Sequence, residues 1–408
     1  MKFNYLQYII LAIYTLTSFA ANSQTANSLY DSGVLKFKNN DIDGAIADYT
    51  KVIEKSPIFY EAFFERAKCY NVKKQKDKAI IDLNKALLVN PKYHQALVFR
   101  GNLFLDQGNE KSALADYNKA IEVKPDYYEA YYKRAVFYEH KDKNDAALKD
   151  YTKAVELKKD AEVYYRRALL NIKLKKNKEA ISDLTNAITL KKDYADAFYK
   201  RGILNEENKN YKPASDDYTS AINNKIINKE IFIHRADCYF ENSEWQKAID
   251  DYSKLITEYR FSNNDILFKR AKSYFQTNNL ELATKDLTKV SNSSQDMPEA
   301  TILLGDIYVK QNKIPAAQMS YTKVINAYPK NFNGFQKRGQ LYMDQKKYQM
   351  AITDFDAALK LEPVGETYFQ RAMCKWELKD FKGCCEDVKN AADIGYQEAK
   401  DKMSGYCK

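Results

Sequence analysis

Two residue types recur in this 408-residue chain at a spacing that could do chemistry. Nine arginines (Arg66, Arg100, Arg134, Arg167, Arg201, Arg235, Arg270, Arg338 and Arg371) are each followed sixteen residues later by an aspartate. Those aspartates are Asp82, Asp116, Asp150, Asp183, Asp217, Asp251, Asp286, Asp354 and Asp387. Left free, a row of guanidinium groups would hold phosphate or carboxylate ligands; paired, it would be structural. At one further position both members vanish together, replaced by Leu304 and Ser320, and joint loss points to pairs such as Arg66–Asp82, Arg134–Asp150 and Arg201–Asp217. Ser32, standing before Asp48 where an arginine would be, leaves a second register open, with Asp48 meeting Arg66 of the next segment. Exposed pairs contribute only about 0–1 kcal/mol, whereas breaking a buried one costs about 3–5 kcal/mol. Regularity of this kind predicts partly buried structural pairs, not a ligand site.

Other chemistry is thin. The three histidines, His94, His140 and His234, have no Cys or His neighbour at metal-ligand spacing. No glycine-rich phosphate loop, G-x-S-x-G elbow or HExxH sequence occurs. Neither metal, cofactor nor catalytic activity is expected. Formal net charge is +10, but the lysines gather in short polar stretches such as Lys73–Lys78 and Lys173–Lys178, so a nucleic-acid partner is not expected.

The elements that must position these residues repeat every 33 to 35 positions. Gly33, Ala67, Gly101, Ala135, Ala168, Gly202, Ala236, Ala271, Gly305, Gly339 and Ala372 are each answered twelve residues later by a small residue, from Ala45 and Ala79 through to Cys384. In the segment Tyr60–Tyr93, Phe63, Ala67 and Tyr70 make one helical stripe; Ala79, Leu83 and Ala86 make a second, which Pro91 ends. The spacing predicts two antiparallel helices that cross at Ala67 and Ala79, where a larger side chain would hold them apart. Stacked helix pairs bury their faces only against neighbours, so the length implies one elongated array, not separate domains.

The Arg-Ala/Gly and Asp-Tyr signatures, with the closing prolines Pro57, Pro91, Pro125, Pro329 and Pro363, resemble the tetratricopeptide repeat family over residues 26–396. The resemblance implies an all-α, right-handed α-solenoid of about eleven helix-turn-helix repeats, starting near 26, 60, 94, 128, 161, 195, 229, 264, 298, 332 and 365. Residues 397–408 would cap it. It also implies a concave groove for a protein or peptide partner, lined three before, one after and four after each small residue. The strip is continuous at its centre: Tyr132, Val136, Tyr165, Leu169, Ile172, Tyr199, Ile203, Ile233 and Phe240. Sugars stacking on its tyrosines would make a glycan or cell-wall polymer the alternative ligand. Family members that clamp a carboxylate use lysine and asparagine at these groove positions, and along this central strip the residues are aromatic or aliphatic. Four repeats depart from the pattern, with Lys36, Asn171, Asn205 and Lys375 where an aromatic is usual. For Asn171 and Asn205 the reading is an exposed amide on a slightly rotated helix, the alternative being an amide presented to a ligand backbone.

Residues 1–23 differ in kind. Lys2 precedes an apolar run from Tyr5 to Ala20, and Ala21-Asn22-Ser23 offers small residues for cleavage, so a signal peptide and an exported, periplasmic or secreted protein are expected. An uncleaved anchor is the alternative, disfavoured by the shortness of the run; otherwise membrane contact is limited to export. Cys69, Cys238 and Cys374 occupy equivalent positions in distant repeats and cannot pair with one another, and Cys384 takes a crossing position. The ending resembles exported repeat proteins that close on a cysteine pair, which implies a Cys385–Cys407 bridge; Cys384 could substitute for Cys385.

Overall fold

A computed structural model describes residues 25–293 and 297–407, all of whose regular structure is helical. The segment read as a signal peptide lies outside the described residues. The helices are α1 (residues 25–38), α2 (Ile42–Lys55), α3 (Tyr60–Val72), α4 (Lys76–Val89), α5 (His94–Asp106), α6 (Glu110–Val123), α7 (Tyr128–His140) and α8 (Asn144–Leu157). They continue as α9 (Ala161–Lys173), α10 (Asn177–Leu190), α11 (Ala195–Glu207), α12 (Tyr211–Asn223), α13 (Lys229–Glu241), α14 (Trp245–Thr257), α15 (Asn264–Gln276) and α16 (Leu280–Ser291). The last are α17 (Pro298–Lys310), α18 (Ile314–Ala327), α19 (Phe332–Asp344), α20 (Tyr348–Leu361), α21 (Gly365–Glu377), α22 (Phe381–Asp393) and α23 (Gln397–Tyr406). Odd- and even-numbered helices pair as helix-turn-helix repeats, and α23, packed on α22, is left as a cap.

The chain forms two bodies that divide within α11, one ending at Ala197 and the other beginning at Phe198. Each core is a series of local clusters, as a stack of repeats requires. In the N-terminal body one cluster runs from Ala67 through Leu83, Leu97 and Tyr117 to Phe137; in the C-terminal body another joins Tyr218, Phe232, Tyr252 and Leu255.

Crossing positions follow a size rule. All five glycines at these positions lie over an aromatic ring sixteen residues on: Tyr49, Tyr117, Tyr218, Tyr321 and Phe355. A Cβ built on Gly202 would stand 2.8 Å from Tyr218 Cε1, and one on Gly305 2.4 Å from Tyr321 Cε1. Alanine instead opposes Leu83, Leu184, Leu287 and Val388, although Ala135 and Ala236 face Tyr151 and Tyr252. A flat ring lies against a bare Cα where a branched aliphatic chain leaves room for a methyl group.

Seven residues after each small residue the turn between paired helices passes through positive φ, from Asn40 (63°) and Lys74 (60°) to Lys379 (63°). Only Gly108 meets that demand with glycine; lysine does so at 74, 175, 209, 346 and 379, where its side chain is solvated. Lysines flanking these turns meet acids of the neighbouring repeat, as in Lys76–Asp106 (2.8 Å) and Lys141–Glu110 (2.6 Å).

Cys385 and Cys407 form a disulfide that ties α23 to α22. Cys69, Cys238, Cys374 and Cys384 are free and buried. Burial pushes the Cys69 and Cys384 thiols up to about 11, which marks them as packing residues, not nucleophiles.

Candidate partner groove

The arginine row is fully engaged. Each of the nine arginines donates from Nε and Nη2 to both carboxylate oxygens of the aspartate sixteen residues on, at 2.5–2.9 Å. The aspartate side chains are only 1–8 % exposed and the arginines 12–21 %. Pairing is within one repeat, with Arg66 on Asp82, Arg134 on Asp150 and Arg201 on Asp217; Asp48 does not meet Arg66. In eight arginines the remaining Nη1 reaches back to the second helix of the preceding repeat, as in Arg66–Thr50 (2.9 Å), Arg100–Asn84 (2.7 Å) and Arg270–Ser253 (3.1 Å). One side chain thus closes its own helix pair and fastens it to its neighbour.

The four departures from the aromatic pattern share a physical reason. Lys36 meets Asp48 at 2.6 Å and Lys375 meets Asp387 at 2.8 Å. Asn171 donates to Asp183 at 3.2 Å and Asn205 to Asp217 at 3.0 Å. All four give the buried aspartate an additional donor, and Lys36, with Ser32 Oγ at 2.7 Å, replaces the missing arginine. The expectation of exposed amides at Asn171 and Asn205 is therefore wrong. Both are buried, because a nearly dry carboxylate gains more from a second donor than a neutral ring could supply.

Floor carboxylates of the groove have a similar partner. The second-helix tyrosine rings are buried, and five hydroxyls emerge past the crossing onto polar groups one or four residues after the small residue. Tyr117 donates to Asn102 (2.8 Å), Tyr151 to Glu139 (2.5 Å), Tyr252 to Asp237 (2.6 Å), Tyr321 to Asp306 (2.7 Å), and Tyr218 to Glu206. Repeats with leucine, phenylalanine or valine in place of that tyrosine carry no carboxylate at either position. Sequence reasoning missed this covariation, although it is written in the spacing.

In the C-terminal body the next repeat adds a base to each acid: His234 to Glu206 (3.0 Å), Lys269 to Asp237 (3.1 Å) and Lys337 to Asp306 (3.1 Å). Among these bases only His234 is an imidazole, whose ordinary pKa lies close to neutrality. Its hydrogen bond to Glu206 raises its pKa above the ordinary 6.5 against the opposing pull of burial, with further help from Asp237 and Glu230. The rings of Tyr218 and Tyr199 lie 5.7 and 6.5 Å from the imidazole. A raised folded-state value makes the contribution of the pair fully present below the unfolded pKa and lost as pH rises through the folded one. Urea unfolding from roughly pH 6 to 9 is expected to show a decline in wild type that His234→Gln removes; identical profiles would contradict the link.

The nine expected groove residues fall in both bodies, Tyr132, Val136, Tyr165, Leu169 and Ile172 in the first and Tyr199, Ile203, Ile233 and Phe240 in the second. All nine are half-buried, each spending part of its surface on neighbouring side chains and keeping part of it accessible. Tyr132 leans on Tyr151 with ring centroids 6.2 Å apart, Tyr165 on Tyr194 at 4.9 Å and Tyr199 on Tyr218 at 6.0 Å. Val136 packs against the cluster of Ala147 and Tyr151, while Ile203, Ile233 and Phe240 pack around Tyr218 and Tyr252. Elsewhere along the stripe Val98, Gln336 and Phe369 are buried outright. Among the described residues no group of three or more His, Cys, Asp or Glu could hold a metal ion, and no helix is long and apolar enough to cross a membrane.

Comparison with known proteins matches this architecture. Family models described as tetratricopeptide repeat or TPR repeat match residues 30–96, 101–142, 128–160, 161–194, 232–262, 299–331 and 332–363, together more than half of the chain. The chain belongs to the tetratricopeptide repeat proteins, which are generally non-catalytic scaffolds that bind protein partners. No curated protein matches it. Among solved structures it is similar to a tetratricopeptide repeat protein from Parabacteroides merdae, at 20% identity over 61% of this chain and 98% of that one, TM-score 0.36. It is also similar to yeast Tom70, at 15% identity over 94% and 96%, TM-score 0.39. A third is MamA from Desulfovibrio magneticus RS-1, at 16% identity over 42% and 97%, TM-score 0.37.

Proposed function

We propose that this protein is a non-catalytic scaffold that holds a peptide or helical segment of another protein along the groove stripes of its first helices. The observation that carries this reading is the state of those stripes. Successive first helices present half-buried aromatic or aliphatic residues at one position, Tyr132 and Tyr165 in one body, Tyr199 and Ile233 in the other. Several of their polar neighbours are already paired internally. What is left for a partner is apolar surface with few unmet polar groups, the composition of an interface centre. We place the protein in the cell envelope or outside the cell. The apolar run from Tyr5 to Ala20 and the Cys385–Cys407 disulfide support that location.

The test is affinity capture with the wild-type chain beside Tyr165→Ala and Tyr199→Ala, each checked for unchanged helicity by circular dichroism. A defined protein set held by wild type and lost from either variant is the expected result. Retention of polysaccharide in place of protein would establish the glycan alternative. Equal capture by all three chains would remove the groove reading.

A further inference from the structure

Most floor charges in the C-terminal body have an opposite within reach, as Glu206, Asp237 and Asp306 show. Lys272 and Lys310 do not. The Lys272 ammonium lies 5.3 Å from the centre of the Phe240 ring and 5.6 Å from that of Phe268; the Lys310 ammonium lies 4.2 Å from that of Phe275. Neither lysine has a carboxylate within ion-pair distance among the described residues. The N-terminal body supplies the contrast. Lys68, at the same place in its repeat, sits 5.4 Å from Phe37 and 5.6 Å from Phe64, but Glu65, three residues earlier, neutralises it at 2.7 Å. Three residues before Lys272 stands Lys269, itself held by Asp237 and Asp265. Lys272 is thus a half-buried cation between two rings whose local counter-ion has been replaced by a second cation.

We propose that Phe240, Phe268 and Phe275 with Lys272 and Lys310 form the anion-accepting subsite of the C-terminal body's groove, and that its occupant is a partner segment combining acidic and apolar side chains. The inference rests on the groove reading above and adds the partner's chemistry. A ring face attracts a cation but does not discharge it, so the ammonium keeps its demand for an anion. An acidic side chain arriving with an apolar neighbour satisfies Lys272 and covers the phenylalanines at once; a basic one meets repulsion. Phe268 and Phe275 are seven residues apart on α15, about 10 Å along its axis. The two ammonium groups therefore call for at least two partner carboxylates.

The experiment selects binders from a display library of random fifteen-residue peptides with the full chain, then measures a recovered peptide by fluorescence anisotropy. Recovered sequences are expected to combine Glu or Asp with Leu, Ile or Phe. Changing the acids of one such peptide to Gln should weaken its binding to wild type about tenfold, and raising the salt should weaken only the acidic form. The double variant Lys272→Gln/Lys310→Gln should bind acidic and amide forms alike, with a melting temperature close to wild type, since only ring contacts and no ion pair are lost. Recovery of neutral or basic apolar peptides, or an acidic preference that survives the double variant, would overturn the subsite and leave the groove reading standing. Recovery of no peptide would overturn both.

Discussion

Arg270→Ala is expected to lower the unfolding free energy by about 3–5 kcal/mol, the range for removing one partner of a buried ion pair. Asp286 is only 2 % exposed and its guanidinium partner 12 %, so the carboxylate would be left nearly dry with its two strongest donors gone. The same substitution strips Ser253 of the contact that fastens α15 to the preceding repeat. Replacing both members by uncharged residues should cost far less, since the penalty comes from the orphaned charge. The ninth repeat shows that solution already, with Leu304 and Ser320 buried in their place. Urea unfolding of Arg270→Ala and of Arg270→Leu/Asp286→Ser decides the matter. A loss below about 1 kcal/mol for the single variant would put the pair in the class of exposed salt bridges.

The second large effect is steric. Gly339→Val is expected to destabilise the chain by about 3 kcal/mol or more, and Gly339→Ala by about 1–3 kcal/mol, the costs of overpacking a filled crossing. A Cβ at 339 would fall 2.8 Å from Phe355 Cε1, and that ring is fully buried. Phe355→Leu should rescue Gly339→Ala, because Ala67 already lies over Leu83 and Ala271 over Leu287. Phe355 is the appropriate partner for this test, since it has no hydroxyl whose loss would disturb the groove floor. Thermal melts of the two single variants and the double give the coupling directly. Additive losses would mean that the ring is not what forbids the methyl group.

Periodicity explains what could be read beforehand. The crossing residues and the Arg–Asp spacing recur so often that each repeat acts as a control for the others, and the ninth, lacking both partners, is more informative than any that keeps them. What stayed hidden depends on direction, not spacing. In the sequence Asn171 looks like an exposed amide, because a polar residue on a core stripe reads as a departure; the position points instead at the ladder aspartate, as Lys36 and Lys375 also show. The partners of Glu206 and Asp237 are not legible in the sequence, because a tyrosine twelve or fifteen residues later does not announce that its hydroxyl passes beneath the helix crossing. Nor could spacing reveal that Tyr132 and Tyr199 would spend part of their surface on Tyr151 and Tyr218.

The guanidinium that reaches back to the preceding repeat is absent at one junction in the C-terminal body, because residue 304 is leucine. Between α16 and α17 the polar tie is instead a Thr301–Ser291 hydroxyl contact at 2.9 Å, with Lys323 also on Ser291. Within the C-terminal body four of the five junctions between repeats carry that rivet, and the fifth is a seam. Under tension or partial denaturation the C-terminal body should come apart there first, with the block on either side melting as its own cooperative piece.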